Sequence, residues 1–464
     1  MTQFPPSEEK DRIHRYQANR QLFFGNHGDG LAGYLQNHGK EFSNGTLRLL
    51  SIPFAGMIST VSADLLFEQF PKVTTENNNQ FIEALKTKNN LEVQFYESAL
   101  SGSYAGDVVF RVRVENEEVI VEDVNPEVYF PEYDATNVRR EPTAHNIMYK
   151  VPLGTDVNHH PREGVLQERH TAGLIEYRLW LLDANSDQIV KELDLAEYDP
   201  ELPLRVDTNI DKPLVIHIKN HGVNSSRFGV SDYHDLYDLM YAIDNRISRT
   251  ESILDRHGDP ILTVPPGILD ETGQVAREQM GVIEMGMDAQ GNSTDKPEYI
   301  VWDAKLESSF QQLETYIDQL LTFAQISPAI LGRDNAGQAE SGRALKFKML
   351  RTLSMKNRKQ KYFENGMKQI FQTAQELAKK NGYTANGVVS ADPEEVQIEW
   401  PETYTSDEHE ETQLEVMKVN NGLSSNARSI ARLEDITVEE AKERVEENQL
   451  NEQEKQQQGP NLNI

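Results

Sequence analysis

The stretch Ile326-Ser327-Pro328-Ala329-Ile330-Leu331-Gly332, followed closely by Ala339-Glu340-Ser341-Gly342-Arg343-Ala344-Leu345-Lys346, separates two helices of different kinds. Before it, from about Asp303 to Gln325, Leu306, Phe310, Leu313, Ile317, Leu320 and Ala324 recur every four and three residues, the spacing of one apolar helix face. At 1.5 Å per residue this helix would run roughly 35 Å. Ser327-Pro328 ends it, because proline lacks a donor and restricts the residue before it. After the stretch, Arg343 to about Lys380 contains no proline and carries Phe363, Met367, Ile370, Ala374 and Leu377 on one face, so a single long helix is expected, with Gly366 a point where it could bend. Between the two lies a polar loop, Leu331 to Ser341, with Gly332 and Gly337 in it and Gly342 just beyond.

An earlier helix has the same rhythm. Leu236, Met240, Ile243, Ile247, Thr250 and Leu254 form a seam that Ser231 or Asp232 would cap and that Gly258, Asp259 and Pro260 stop. Ile261 to Val264, Gly281 to Met287 and Tyr299 to Trp302 read as short strands around glycine turns. Two helices flanking a small β-rich insertion make a stalk with a tip. Further upstream, Glu9 to Phe24 is helix-like, Leu49 to Phe70 is an apolar stretch stopped by Pro71, and Asn79 to about Leu100 is a third helix-like stretch. Val108 to Val114 and Glu118 to Val124 alternate as a hairpin turned at Glu115-Asn116-Glu117, and Ile147 to Val151, Gly173 to Leu182 and Leu214 to Lys219 add strands. Residues 1–228 are therefore expected to form an α+β module. Glu395 to Trp400 is a last strand candidate, Ser406 to Leu450 reads as acidic helices, and the Gln/Asn-rich end is expected to fray.

Composition narrows the function. The 464 residues hold no cysteine, which removes disulfides and thiolate metal sites and suits assembly in a reducing cytoplasm. The N-terminus is polar, and no apolar run approaches a membrane span, so neither export nor a membrane partner is expected. With 75 acidic against 46 basic residues, a net charge of −29, the surface as a whole repels nucleic acid. A pore through which a duplex slides has the same need, since tight phosphate contacts would hold the DNA. Catalytic signatures are missing: the one Gly-Lys pair, Gly39-Lys40, is followed by Glu41, and no Gly-x-Ser-x-Gly or His-Glu-x-x-His pattern occurs. His159-His160 before Pro161 and acidic pairs such as Glu410-Glu411 read as solvated surface, so no metal, cofactor or enzymatic activity is expected.

The order of these parts resembles the portal proteins of long-tailed phages that infect Gram-positive bacteria. The two stretches quoted first carry most of the resemblance, with Tyr16 to Gly25, Ser62-Ala63-Asp64-Leu65-Leu66-Phe67, Glu97 to Gly106 and Gly229-Val230-Ser231-Asp232. The resemblance implies a non-enzymatic subunit of a twelve-membered ring at one capsid vertex of the virion. Double-stranded DNA would pass through the ring, and its partners would be the terminase large subunit, a head-completion or adaptor protein, and the major capsid and scaffolding proteins. It also implies a portal-type α+β map: wing, 1–228; first stem helix, 229–258; β-rich clip, 259–302; second stem helix, 303–327; tunnel loop, 328–341; long wing helix and strand, 342–405; acidic helical crown and tail, 406–464.

Stem packing falls to Leu306, Phe310, Leu313, Ile317 and Leu320, and the DNA-channel loop offers Arg333, Asp334, Asn335 and Gln338. The two stem helices hold ten acidic residues against four basic, so acid left over from packing would face a lumen. Ser341 to Lys361 runs the other way, with Arg343, Lys346, Lys348, Arg351, Lys356, Arg358, Lys359 and Lys361 and no acid. DNA or the acidic surface of a neighbouring subunit would suit it, and in so acidic a chain the second is the better match. Two other readings remain: a non-conducting scaffold or tail-side structural protein using the same seams, and a metal-dependent nuclease built from scattered acids.

Overall fold

The computed structural model describes residues 2–40, 49–134, 136, 142–155, 159–183, 186–224, 226–258, 261–263, 298–300, 306–333, 342–401, 408–434 and 436–457. It begins with helices α1 (Lys10–Phe23), α2 (His27–Asn37) and α3 (Phe54–Phe67), strand β1 (Lys72–Thr74), and helices α4 (Asn79–Lys88) and α5 (Leu91–Ala105). Nine strands follow: β2 (Asp107–Glu115), β3 (Glu118–Val124), β4 (Tyr129–Glu132), β5 (Ala144–Thr155), β6 (Pro161–Thr171), β7 (Leu174–Leu182), β8 (Ile189–Leu193), β9 (Arg205–Asp207) and β10 (Val215–Lys219). Helix α6 (Tyr237–Gly258), strands β11 (Ile261–Thr263) and β12 (Glu298–Ile300), and helices α7 (Leu306–Phe323) and α8 (Gly342–Asn381) come next. Strands β13 (Thr384–Ala385), β14 (Val388–Val389) and β15 (Gln397–Glu399) and helices α9 (Glu408–Asn420), α10 (Asn426–Leu433) and α11 (Val438–Gln457) complete an α+β chain. It divides into two units, residues 1–333 with 349–400, and residues 334–348 with 401–464.

Two larger sheets frame the first unit, beside the two-stranded pairs β1-β15 and β11-β12. One has the order β10-β2-β3-β13-β14; the other runs β4-β5-β6-β7-β8, with β9 on β7. Strand β2 shows why its sequence is apolar at one end and alternating at the other. Val108, Val109 and Phe110 are all buried, Val108 and Phe110 in the main core and Val109 in a separate cluster with Tyr129 and Ile147, whereas Arg111 and Arg113 alternate with buried Val112. Against the main core lie α4, α5 and the apolar face of α8, through Phe363, Met367, Ile370, Phe371, Ala374 and Leu377. At 40 residues α8 spans about 60 Å. At Gly366 the helix packs tightly on the sheet, where an added Cβ would lie 2.2 Å from Cδ1 of Ile218 on β10.

Several expectations change in detail. The stretch from Asn79 to Leu100 is two helices, divided where Asn90 takes a left-handed φ of 50° and the Asn89 side chain accepts from the Val121 N–H at 3.0 Å. β6 occupies a segment whose charges hid its strand character: Glu168 pairs with Arg111, and Arg169 with Glu132 and Glu176. Of the clip, only the antiparallel pair β11 and β12 is described; Gly281 to Met287 lies outside the described residues. In the second unit, Ser425 caps α10 and Glu415 of α9 accepts from Lys418 at 2.6 Å and Ser429 at 2.8 Å. Among the described residues no helix is long and apolar enough to cross a membrane.

Candidate functional site

The paired helices α6 and α7 run antiparallel, with Thr250 Oγ1 3.1 Å from Ser309 Oγ near one end and Leu236, Met240 and Ile243 sharing a core with Leu320, Leu321 and Ile326 near the other. That core also takes Leu22 from α1, Leu31 and Leu35 from α2, and Ala55 and Ile58 from α3. The five residues expected to pack the second helix divide along its length. Leu320 is buried, Leu313 and Ile317 are half-buried against the same core, Leu306 is half-buried, and Phe310 is 48% exposed. Distance from the body decides how much of this helix face the chain itself covers.

Of the acids on these helices, Asp244 is consumed internally: its side chain is 1% exposed, 2.5 Å from Nδ1 of His27, and accepts from the Ile52 N–H at 3.0 Å. Glu251, Asp255, Glu307, Glu314 and Asp318 remain exposed, as does Asp238, which pairs with Lys40. The solvent-facing flanks of the pair are therefore predominantly acidic.

The root of the pair is a buried polar junction that the sequence pattern did not reveal. Asp107, 1% exposed, receives the Tyr16 hydroxyl, the Gly229 N–H at 2.7 Å and a His217 Nε2 contact at 2.6 Å. Burial opposes its charge, but His217, Tyr16 and Gly229 together hold its carboxyl below the usual range. Beside it, Asp232 accepts from Ser103 Oγ at 2.6 Å, from Asn220 Nδ2 at 2.9 Å and from the Lys359 ammonium of α8, which also donates to Ser62 Oγ at 2.6 Å. Burial again opposes the charge, and Lys359 is the largest of the influences that nonetheless keep the Asp232 carboxyl low, while burial pulls the Lys359 ammonium down. Ser231, expected as a helix cap, instead caps the turn ahead of α6: its Oγ accepts from the Tyr233 N–H at 3.1 Å and donates to the Ser103 carbonyl at 3.1 Å.

Backbone proximity fixes this junction. Gly106, at φ 97°, lies directly against Gly229, where an added Cβ would meet the Gly106 carbonyl oxygen at 2.0 Å. That same oxygen accepts from the Asn220 N–H at 2.8 Å, and the Ser103 carbonyl accepts from the Asp232 N–H at 2.9 Å. Four segments far apart in sequence thus meet here: Tyr16 to Gly25, Ser62 to Phe67, Glu97 to Gly106, and Gly229 to Asp232.

The stretch from Ile326 to Gly332 is fastened in turn to α8. Thr352 Oγ1 donates to the Gln325 carbonyl and accepts from the Ser327 N–H, both at 2.9 Å, and Gln325 itself turns the chain at φ 61°. Of the expected channel loop, Arg333 is exposed after Gly332 at φ 65°, while Asp334, Asn335 and Gln338 lie outside the described residues. In the basic stretch Lys346, Lys348 and Arg351 are exposed along α8; Arg343 opens the helix, and its side chain lies outside the description. Lys356 and Lys359 are buried, so part of that charge serves the chain's own interior.

No curated protein matches the sequence. Among solved structures, a chain from the neck of an empty GTA particle computed with C6 symmetry is 11% identical, with a TM-score of 0.49, over 83% of this chain and 91% of its own. One from the virion of a native gene transfer agent particle is also 11% identical, with a TM-score of 0.49, over 94% and 96%. These likenesses are too distant to carry an argument. The family model for phage portal proteins, SPP1 Gp6-like, matches residues 6–458 and so takes in every helix from α1 to α11 and every strand between them. The junction, the paired helices and the long helix behind them are accordingly parts of one family's subunit, and this chain belongs to the phage portal protein family, SPP1 Gp6-like.

Proposed function

We propose that the chain assembles into a ring, expected at twelve copies, at one capsid vertex of a phage-type virion, and that the ring is the conduit for packaging and ejecting double-stranded DNA. The family is structural and non-enzymatic, which agrees with a passive conduit. The observation that carries the reading is the α6 and α7 pair, with its exposed acids Glu251, Asp255, Glu307, Glu314 and Asp318. Repeated around a ring, such flanks line a lumen that repels phosphates and lets a duplex slide. The half-covered seam at Leu306 and exposed Phe310 then packs against the neighbouring subunit.

In this reading residues 259–302 are the outer tip that docks the terminase large subunit during filling and a head-completion or adaptor protein afterwards. Arg343, Lys346, Lys348 and Arg351 meet acidic surface of the adjoining copy, and residues 328–341 form the constriction. Arg333 contributes one positive charge per copy there, enough to touch phosphates and too little to hold them firmly. Changing Arg333 to Glu is expected to leave rings intact and lower the DNA retained per particle several-fold. Full DNA retention in particles that carry mutant rings would remove this loop from the conduit reading.

A further inference from the structure

Among the described residues, strand β10 is an outer strand of its sheet, paired only with β2. The Leu214 carbonyl accepts from Val112 and the Asn220 N–H donates to Gly106, so the groups turned toward β2 belong to residues 214, 216, 218 and 220. The N–H and C=O groups of Val215, His217 and Lys219 point the other way and have no partner among the described residues. They face a groove of about 640 Å3 whose opposite wall is the polar side of α8, with Tyr362, Asn365 and Gln369. Val223, 52% exposed, stands in the groove lining. An open row of backbone donors and acceptors is a template for another extended chain, and proteins rarely leave one uncovered.

The charge in the groove says what would cover it. Lys212, Lys219 and Arg227 line it, and among the described residues no Asp or Glu does, in a chain of net charge −29. Lys212 is already paired with Glu376 at 2.6 Å, and Lys219 donates to the Ser226 carbonyl at 3.0 Å, whereas the exposed Arg227 guanidinium lies over the Tyr133 ring, 5.1 Å from its centre. We infer that this groove receives an extended acidic segment of a second copy of this chain, which adds a strand to the free edge of β10 and sets a carboxylate against Arg227. The inference rests on the ring reading, since a ring supplies such a copy at high local concentration.

The absence of cysteine makes the test clean. Val223→Cys, at an exposed position, is labelled with a benzophenone maleimide, assembled, imaged and irradiated. The expected product migrates at twice the chain mass, its cross-linked peptide is acidic and comes from the other copy, and adding Arg227→Glu lowers its yield several-fold. Rings that yield only cross-links within one chain, or none, would overturn the inference and leave the ring reading standing. No rings in unlabelled wild-type protein would defeat both.

Discussion

Replacing Lys359 with Met is expected to destabilise the protein by about 3–5 kcal/mol, the usual cost of removing one partner from a buried ion pair. The ammonium is 1% exposed and the Asp232 side chain 14%, so water cannot take over the lost contact. Asp232 would keep Ser103 and Asn220 as donors but would have no cation. The loss is greatest near neutral pH. In the wild type the Asp232 carboxyl is held below its unfolded value of about 3.9, so its contribution is complete above that pH and fades as pH falls through the folded value. Without Lys359, only the Ser103 and Asn220 hydrogen bonds still oppose burial, so the Asp232 carboxyl moves up from its wild-type position, the variant loses less on acidification and the gap to wild type narrows. Calorimetric unfolding of both proteins measures this, and Asp232→Asn combined with Lys359→Met should recover much of the loss. An unchanged Tm in Lys359→Met would show that the pair does not anchor the junction.

Gly229→Ala is expected to cost about 3 kcal/mol, the upper end for overpacked sites. The obstacle is backbone: the new Cβ would lie 2.0 Å from the Gly106 carbonyl oxygen and 3.2 Å from the Asn220 nitrogen. Relief requires separating two segments, and that separation strains the Gly229 N–H bond to Asp107 and the Asn220 bond to Gly106 together. Gly366→Ala makes the useful comparison, since its Cβ would meet a side chain, Ile218, which can rotate away. Denaturant midpoints should therefore fall further for Gly229→Ala than for Gly366→Ala, and equal midpoints would contradict the backbone argument.

What the sequence disclosed follows physical lines. Periodicity exposed α6, α7 and α8 because each carries one apolar face, buried wherever the helix meets the body, and β2 with β3 because their turn and alternation are local. The junction stayed hidden because its members, from Tyr16 through Asp107 and Asp232 to Lys359, are joined by side-chain bonds that no periodic pattern records. Lys359 looked like one more cation in a basic run, and only the fold shows that it is spent on Asp232. Asp244, counted among the helix acids, is likewise withdrawn from the surface by His27. The glycines at 106 and 229 were visible in the quoted stretches, but their contact is a tertiary fact. Nearness in space also explains why dispersed stretches could carry one resemblance: four of them meet at a single buried point.

The proposed ring closes around a central channel. Electron microscopy of the purified protein, with its native mass measured on the same sample, tests it most directly. Closed rings near twelve copies of the 52.8 kDa chain, with an open central channel, are the expected result. Dimers or open filaments in place of rings would contradict it and favour a non-conducting scaffold.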